Sequence, residues 1–185
     1  MRPNERDAHE IYTIGHAALP MDRFVALLRS VDVTLLVDIR RYPGSRHSPQ
    51  FSSDELRKVL EAQGIGYLHL AELGGRRHAR PDSENSAWRN ASFRGYADYM
   101  ETPEFEEGLR LLMAVAEVDR VAIMCAESVW WRCHRSMVSD ALMAQGWRVL
   151  HIMSDGSLRP HHFTAPARLV DGKLTYREAI PPTTS

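Results

Sequence analysis

Long apolar runs, lysine and cysteine are what this sequence has least of, and each shortage narrows the reading. No stretch of the 185 residues approaches the roughly 20 consecutive apolar residues needed to cross a bilayer. The first ten residues are polar and mixed in charge, without the apolar centre of a secretory leader. The expected setting is cytoplasmic, with no membrane partner. Only two cysteines occur, Cys125 and Cys133, both in one segment. A reducing compartment disfavours a structural disulfide, and one local pair is too little for a disulfide framework. Ligand, nucleophile or buried packing residue stay open for them. Lys58 and Lys173 are the only lysines, which leaves 23 − 2 = 21 arginines. Net charge is −1, so no overall basic field announces nucleic-acid binding.

What remains suits one globular domain. Hydrophobic residues at 44% and charged residues at 25% are ordinary, and the length allows a sizeable core but is short for two domains. Residues 11–15 read as a first strand, and residues 33–39 (VTLLVDI) as a strand buried on both faces, as in parallel sheets. Residues 66–70, 121–124 and 147–152 supply three more strands. Between them lie helical spacings at residues 21–30, after Ser52 or Ser53, at 96–100, after Thr102-Pro103, and over 132–145. This alternation predicts an α/β fold: a single domain with a mainly parallel sheet and helices on both faces. The expected organisation is a flexible start over 1–10, the α/β domain over 11–153, and a weakly patterned extension over 154–185 whose end is disordered. Residues 71–93 form a long loop, which in a compact domain is functional or mobile.

Ligands of such sheets bind beyond the carboxyl ends of the strands. That rule gathers Gly15-His16 and the segments 38–46, 70–77 and 125–135 on one rim. In the last (CAESVWWRCHR), Cys125 at a strand end would face a helix opening near Arg132, whose dipole and charge favour thiolate. Glu127 can serve as general acid or base, and His134 and Arg135 complete the cluster. The spacing from Cys125 to Arg132 is one residue longer than the phosphotyrosine-phosphatase pattern. A rival metal reading draws on Cys125, Cys133 and His134, with Glu127 or His16. The cysteines are too far apart in sequence for a compact zinc motif.

In the segment DIRRYPGSRHS, Asp38 either orients Arg40 or acts as an acid/base group. Ser45 and Arg46 suit phosphate, as does Arg40. Gly74 and Gly75 allow close backbone approach, followed by Arg76, although no phosphate-loop fingerprint is present. His16 at the first strand's end is either a base or a structural histidine. Trp88, Phe93, Tyr96 and Tyr99 beside arginines suit base stacking or helix packing, and Trp130 and Trp131 pose the same choice.

Taken together the motifs resemble one family. Tyr12-Thr13-Ile14-Gly15-His16, Val37-Asp38-Ile39-Arg40 with Pro43 and Ser45-Arg46, and Phe51 match in order. So do Leu73-Gly74-Gly75, Phe93 with Gly95-Tyr96-Ala97 and Tyr99-Met100, Cys125-Ala126-Glu127 and Cys133-His134-Arg135. This set is similar to the DUF488 family over roughly residues 12–152. Ala17 departs from the family's usual Ser. The resemblance implies that the C-A-E and C-H-R elements share a site, and it supplies no substrate or cofactor.

The resulting expectation is an enzyme acting on a phosphate-bearing small molecule or nucleic acid. Cys125, Glu127, Asp38 and His134 are the catalytic candidates. His16, Arg40, Ser45, Arg46, Gly74, Gly75, Arg76, Arg132 and Arg135 are the binding candidates. A non-catalytic nucleic-acid or nucleotide-binding module and a metal- or redox-responsive Cys/His protein are the alternatives.

Overall fold

A computed structural model describes residues 9–44 and 46–179. The expectations for Ser45, for most of the flexible start and for the disordered end fall on residues outside that range. Five strands run parallel: β1 (Glu10–Gly15), β2 (Leu35–Asp38), β3 (Gly66–His69), β4 (Val121–Cys125) and β5 (Arg148–Ile152). Their order is β3-β2-β4-β1-β5, and β6 (Leu158–Pro160) adds an antiparallel edge beside β5. The fold is the α/β class expected. Among the described residues no helix is long and apolar enough to cross a membrane.

The alternating side chains of each central strand serve two cores, which is why the strands read as largely apolar without alternation. Tyr12, Ile14, Leu36, Ala122 and Met124 pack against α1 (Met21–Arg29) and α2 (Ser53–Ala62) through Phe24, Leu28, Leu56 and Leu60. Ile11, Val37, Val121 and Ile123 face the other way. They meet α3 (Ala91–Met100), α4 (Pro103–Ala116) and α5 (Arg135–Ala144) through Tyr96, Leu112, Met137 and Val138.

This division places the site. The connections that leave β1 and β2 pass over the α1–α2 face, while those that lead into and out of β4 pass over the other. β4 lies between β1 and β2. The carboxyl end of β4 is therefore flanked by two strands whose chains depart to the opposite side, which opens a crevice there.

Two boundaries differ from the sequence reading in ways that matter. α3 begins at Ala91, because the Asn90 side chain accepts the N–H groups of Ser92 and Phe93 and caps a turn with little apolar content. The helix expected from residue 132 begins three residues later. Trp130–Arg132 form a tight 3-10 turn, Cys133 is extended (φ −140°, ψ 154°), and α5 starts at Arg135. The extension past β5 carries more structure than its weak patterning suggested: β6, then a hairpin of β7 (Arg168–Val170) with β8 (Lys173–Thr175).

Candidate functional site

Asp38 ends β2 with no exposed surface, and all its lone-pair directions are taken. It accepts the Arg40 backbone N–H at 3.0 Å, Arg40 Nε at 2.9 Å, Arg40 Nη2 at 2.6 Å and the Tyr67 hydroxyl at 2.6 Å. Of the two roles open to it, the geometry gives Asp38 the orienting one. Burial first, and then the Asp38 charge, hold the Tyr67 hydroxyl above its ordinary pKa, so it stays a donor. Arg40 is fixed at further points. Its carbonyl accepts from His69 Nε2 at 2.7 Å, and its Nη1 donates to His16 Nε2 at 3.3 Å.

His16 is thereby assigned a protonation state. Its Nδ1 faces the Ala17 carbonyl at 2.8 Å, which can only accept, so Nδ1 carries the hydrogen and Nε2 the lone pair that Arg40 uses. Burial leads the causes that lower its pKa and keep the ring neutral. The ring stacks on Phe51 with centroids 4.3 Å apart. His16 thus supports Arg40 from behind.

The second layer is the pair of cysteines. Their Sγ atoms lie 2.7 Å apart, although both are free thiols. The backbone N–H of Arg135, the first residue of α5, donates to Cys133 Sγ at 3.3 Å. The helix-terminal N–H expected for Cys125 therefore goes to Cys133. Burial alone would raise the Cys133 pKa, but the Cys125 hydrogen bond, the Arg135 charge and the Arg135 N–H together bring it below the ordinary thiol value. Cys125 moves the opposite way, through burial and then through its bond to Cys133. The opposite shifts favour Cys125 as the S–H donor of the pair and Cys133 as its acceptor.

His134 stands next to this sulfur. Its Nε2 lies 2.9 Å from the Ile39 carbonyl and so carries the hydrogen, leaving the Nδ1 lone pair 3.7 Å from Cys133 Sγ. Burial, the first of several influences, lowers its pKa, and a neutral imidazole is the nearest base for a Cys133 proton. Two glycines make room. A Cβ on Gly75 would sit 2.7 Å from His134 Nδ1, and one on Gly15 would collide with the Glu127 carbonyl oxygen.

These groups form the floor of a cavity of about 450 Å³. Its wall carries Arg40, Arg41, Gly75, Arg76, Glu127, Arg132 and the aromatics Tyr42, Phe93 and Tyr96, with Asn90 and Ser92 at the start of α3. Of the sequence candidates, Cys125, Cys133, His134, Glu127, Arg40, Gly75, Arg76 and Arg132 reach it. Asp38 and His16 stand one layer behind. Gly74 packs against the Arg41 backbone, and Arg46 is exposed and outside the wall. Arg135 is also outside it, buried with its Nη2 donating to the Glu127 carbonyl at 3.0 Å and its Nη1 to Thr13 Oγ1 at 3.3 Å. Arg76 holds a left-handed backbone (φ 58°), and its carbonyl accepts Arg41 Nη1 at 2.9 Å.

Thr13 opens a network that sequence reasoning missed. Thr13 Oγ1 lies 2.6 Å from His151 Nδ1, His151 Nε2 lies 2.9 Å from His161 Nδ1, and His161 Nε2 lies 2.9 Å from Asp140 Oδ1. Asp140 also accepts from the Thr164 N–H, the Thr164 hydroxyl and the Tyr176 hydroxyl. The contacts run in series from Arg135 through Thr13, His151 and His161 to Asp140. Trp130 stacks flat on His151 at 4.4 Å. Sequence offered one signal: His151 sits among Val149, Leu150 and Ile152, all apolar and buried.

Burial, then the neighbouring His161 and the Arg135 charge, push the His151 pKa from 6.5 to about 2. An unfolded His151 binds a proton below its ordinary pKa, whereas the folded one does not. Its contribution to stability is therefore intact above pH 6.5 and falls as pH drops from there toward about 2. The expected slope is up to about 1.4 kcal/mol per pH unit for this group. Urea unfolding at a series of pH values measures the slope, and the His151 ring resonances should not titrate near 6.5. A ring that titrates there would sink the prediction.

The donor set does not fit a zinc ion. Thiolates bound to tetrahedral zinc at about 2.3 Å stand roughly 3.8 Å from each other, against 2.7 Å here. Among the described residues no group of three metal-capable side chains stands in ligating geometry.

No curated protein and no solved structure matched the chain. Residues 20–142, well over half of it, match the family described as Domain of unknown function DUF488. That segment spans the strands β2, β3 and β4, both cysteines and the arginines of the cavity wall. On this match the chain belongs to the DUF488 family.

Proposed function

We propose that this protein is an enzyme that uses the Cys133 thiolate on a phosphate-bearing substrate, a nucleotide or a nucleic-acid end. One observation carries the reading: Cys133 Sγ accepts the α5 N-terminal N–H and stands 2.7 Å from Cys125 Sγ in a cavity walled by Arg40, Arg41, Arg76 and Arg132. A desolvated thiolate with a fixed donor shell is a prepared nucleophile. The arginine forks lining the cavity suit the oxygens of a phosphate. Glu127, exposed at the mouth, is placed to handle the proton of a leaving group, and His134 Nδ1 can take the thiol's proton. Phe93 and the exposed Tyr42, with Arg41 over its ring at 5.3 Å, offer flat surfaces to a base. A cytoplasmic, reducing setting keeps such a thiol active.

The test is turnover of a panel of nucleotides, phosphomonoesters and phosphodiesters by the wild type and by Cys133→Ser. Activity in the wild type that the serine variant keeps would end the proposal. Arg76→Ala and Arg132→Ala should each raise KM by about 10- to 100-fold, the loss of one charge-assisted hydrogen bond of ~1.5–3 kcal/mol. Unchanged steady-state KM in both variants would remove these arginines from substrate binding.

The exposed Tyr42 and its Arg41 partner also favour a second reading, binding without chemistry. That reading predicts affinity for single strands that falls steeply with salt and survives Cys133→Ser.

A further inference from the structure

The second thiol is more than a hydrogen-bond donor would need to be. Cys125 and Cys133 face the same cavity, and their sulfurs stand 2.7 Å apart, inside van der Waals contact. Closing a bond of about 2.05 Å requires less than 1 Å of movement. Cys125 is fixed at the end of a buried strand, and Cys133 sits on an extended residue ahead of α5, so the short adjustment falls on the 126–132 loop. Hydrolytic thiol chemistry clears its adduct with water, and for that Cys125 need only donate a hydrogen bond. A thiol in bonding range is useful where the adduct is cleared at the sulfur itself.

We propose that Cys133 and Cys125 form a dithiol couple that reduces a peroxide, with Cys133 attacking and Cys125 resolving; this rests on Cys133 being the nucleophile of the site. In the first step Cys133 Sγ attacks one peroxide oxygen. An S–O bond forms, the O–O bond breaks, and the far oxygen leaves as hydroxide, or as alkoxide from an organic peroxide. Cys133 becomes a sulfenic acid. In the second step Cys125 Sγ attacks Cys133 Sγ. The S–S bond forms, the S–O bond breaks, and the oxygen leaves as water with the Cys125 proton. The two thiols lose two electrons and the peroxide gains them. An external thiol returns the disulfide to the starting pair. Arg40 and Arg132 face the cavity and can offer donors to the departing oxygen.

The experiment exposes the full-length protein to one equivalent of hydrogen peroxide at neutral pH, with dimedone present to trap sulfenic acid, and reads intact and peptide masses. The wild type should lose two hydrogens through a Cys125–Cys133 bond, take up no dimedone, and recover with dithiothreitol. Cys125→Ser should instead carry dimedone on Cys133. In Cys133→Ser the remaining Cys125 should stay reduced. Trp130 and Trp131, just before Cys133, give a fluorescence readout, and oxidation should run about tenfold or more faster than for a free thiol at the same pH, following the larger thiolate fraction. Dimedone on wild-type Cys133, a bond between two molecules, or two unreacted thiols would each overturn the couple. A parallel iodoacetamide reaction separates the readings. Fast Cys133 alkylation without disulfide formation removes the couple and leaves the nucleophile standing, whereas slow alkylation removes both.

Discussion

Cys133→Ser is expected to lower turnover by on the order of 10³-fold or more, because a serine hydroxyl is not ionised under conditions where this thiol is. The companion substitution is the more discriminating one. Cys125→Ala leaves the nucleophile in place but removes the S–H that donates to it across 2.7 Å. A hydrogen bond to a charged group contributes about 1.5–3 kcal/mol, or roughly one to two pH units on the Cys133 ionisation. The alkylation profile of Cys133 should therefore shift to higher pH in Cys125→Ala, while the plateau rate at high pH stays close to wild type. Measuring iodoacetamide rates against pH in both proteins decides the matter. If instead Cys125 is the thiol that alkylates first in the wild type, the assignment of roles between the sulfurs is reversed.

Asp38→Asn should cost the fold about 3–5 kcal/mol, the expected penalty for stripping one partner from a buried ion pair. Asparagine keeps the shape, but it leaves Arg40 without its counter-charge at a position where the guanidinium is only 7% exposed. Its amide group also meets donors, Arg40 and the Tyr67 hydroxyl, where the carboxylate had only accepted. At roughly 2–4 °C per kcal/mol for a chain of this size, the melting temperature should fall by about 6–20 °C. Tyr67→Phe is the control, since it removes one hydrogen bond and no charge, at a cost of about 1–3 kcal/mol. A melting curve for Asp38→Asn within a degree or two of wild type would mean that the pair is solvated in solution.

The chain announces its architecture more fully than its site. β2 lies in a largely apolar stretch, residues 33–39, because both its faces are covered, and the glycine- and arginine-rich segments fall at strand ends because the parallel sheet puts its crevice there. Asp38 and Arg40 were readable as a pair for the same reason. The choice between the cysteines was not. It turned on where α5 begins, and a boundary three residues too early gave the helix N-terminus to Cys125. Helix starts are poorly marked when no Ser, Thr, Asp or Asn caps them, and here the capping position is His134, with no side-chain cap bond. Nor was the Thr13–His151–His161–Asp140 chain legible, because its members are spread over more than a hundred residues and share no local pattern.

Asp140 has a consequence for how the molecule is made. Its carboxylate is fully buried, and its side-chain partners, His161, Thr164 and Tyr176, come 21, 24 and 36 residues later in the chain. A chain synthesised from its N-terminus therefore completes β1, β4, β5 and α5 before anything exists to satisfy that acid. The bonds that hold Asp140, on the same helix whose first N–H reaches Cys133, are thus complete only once Tyr176 has been made.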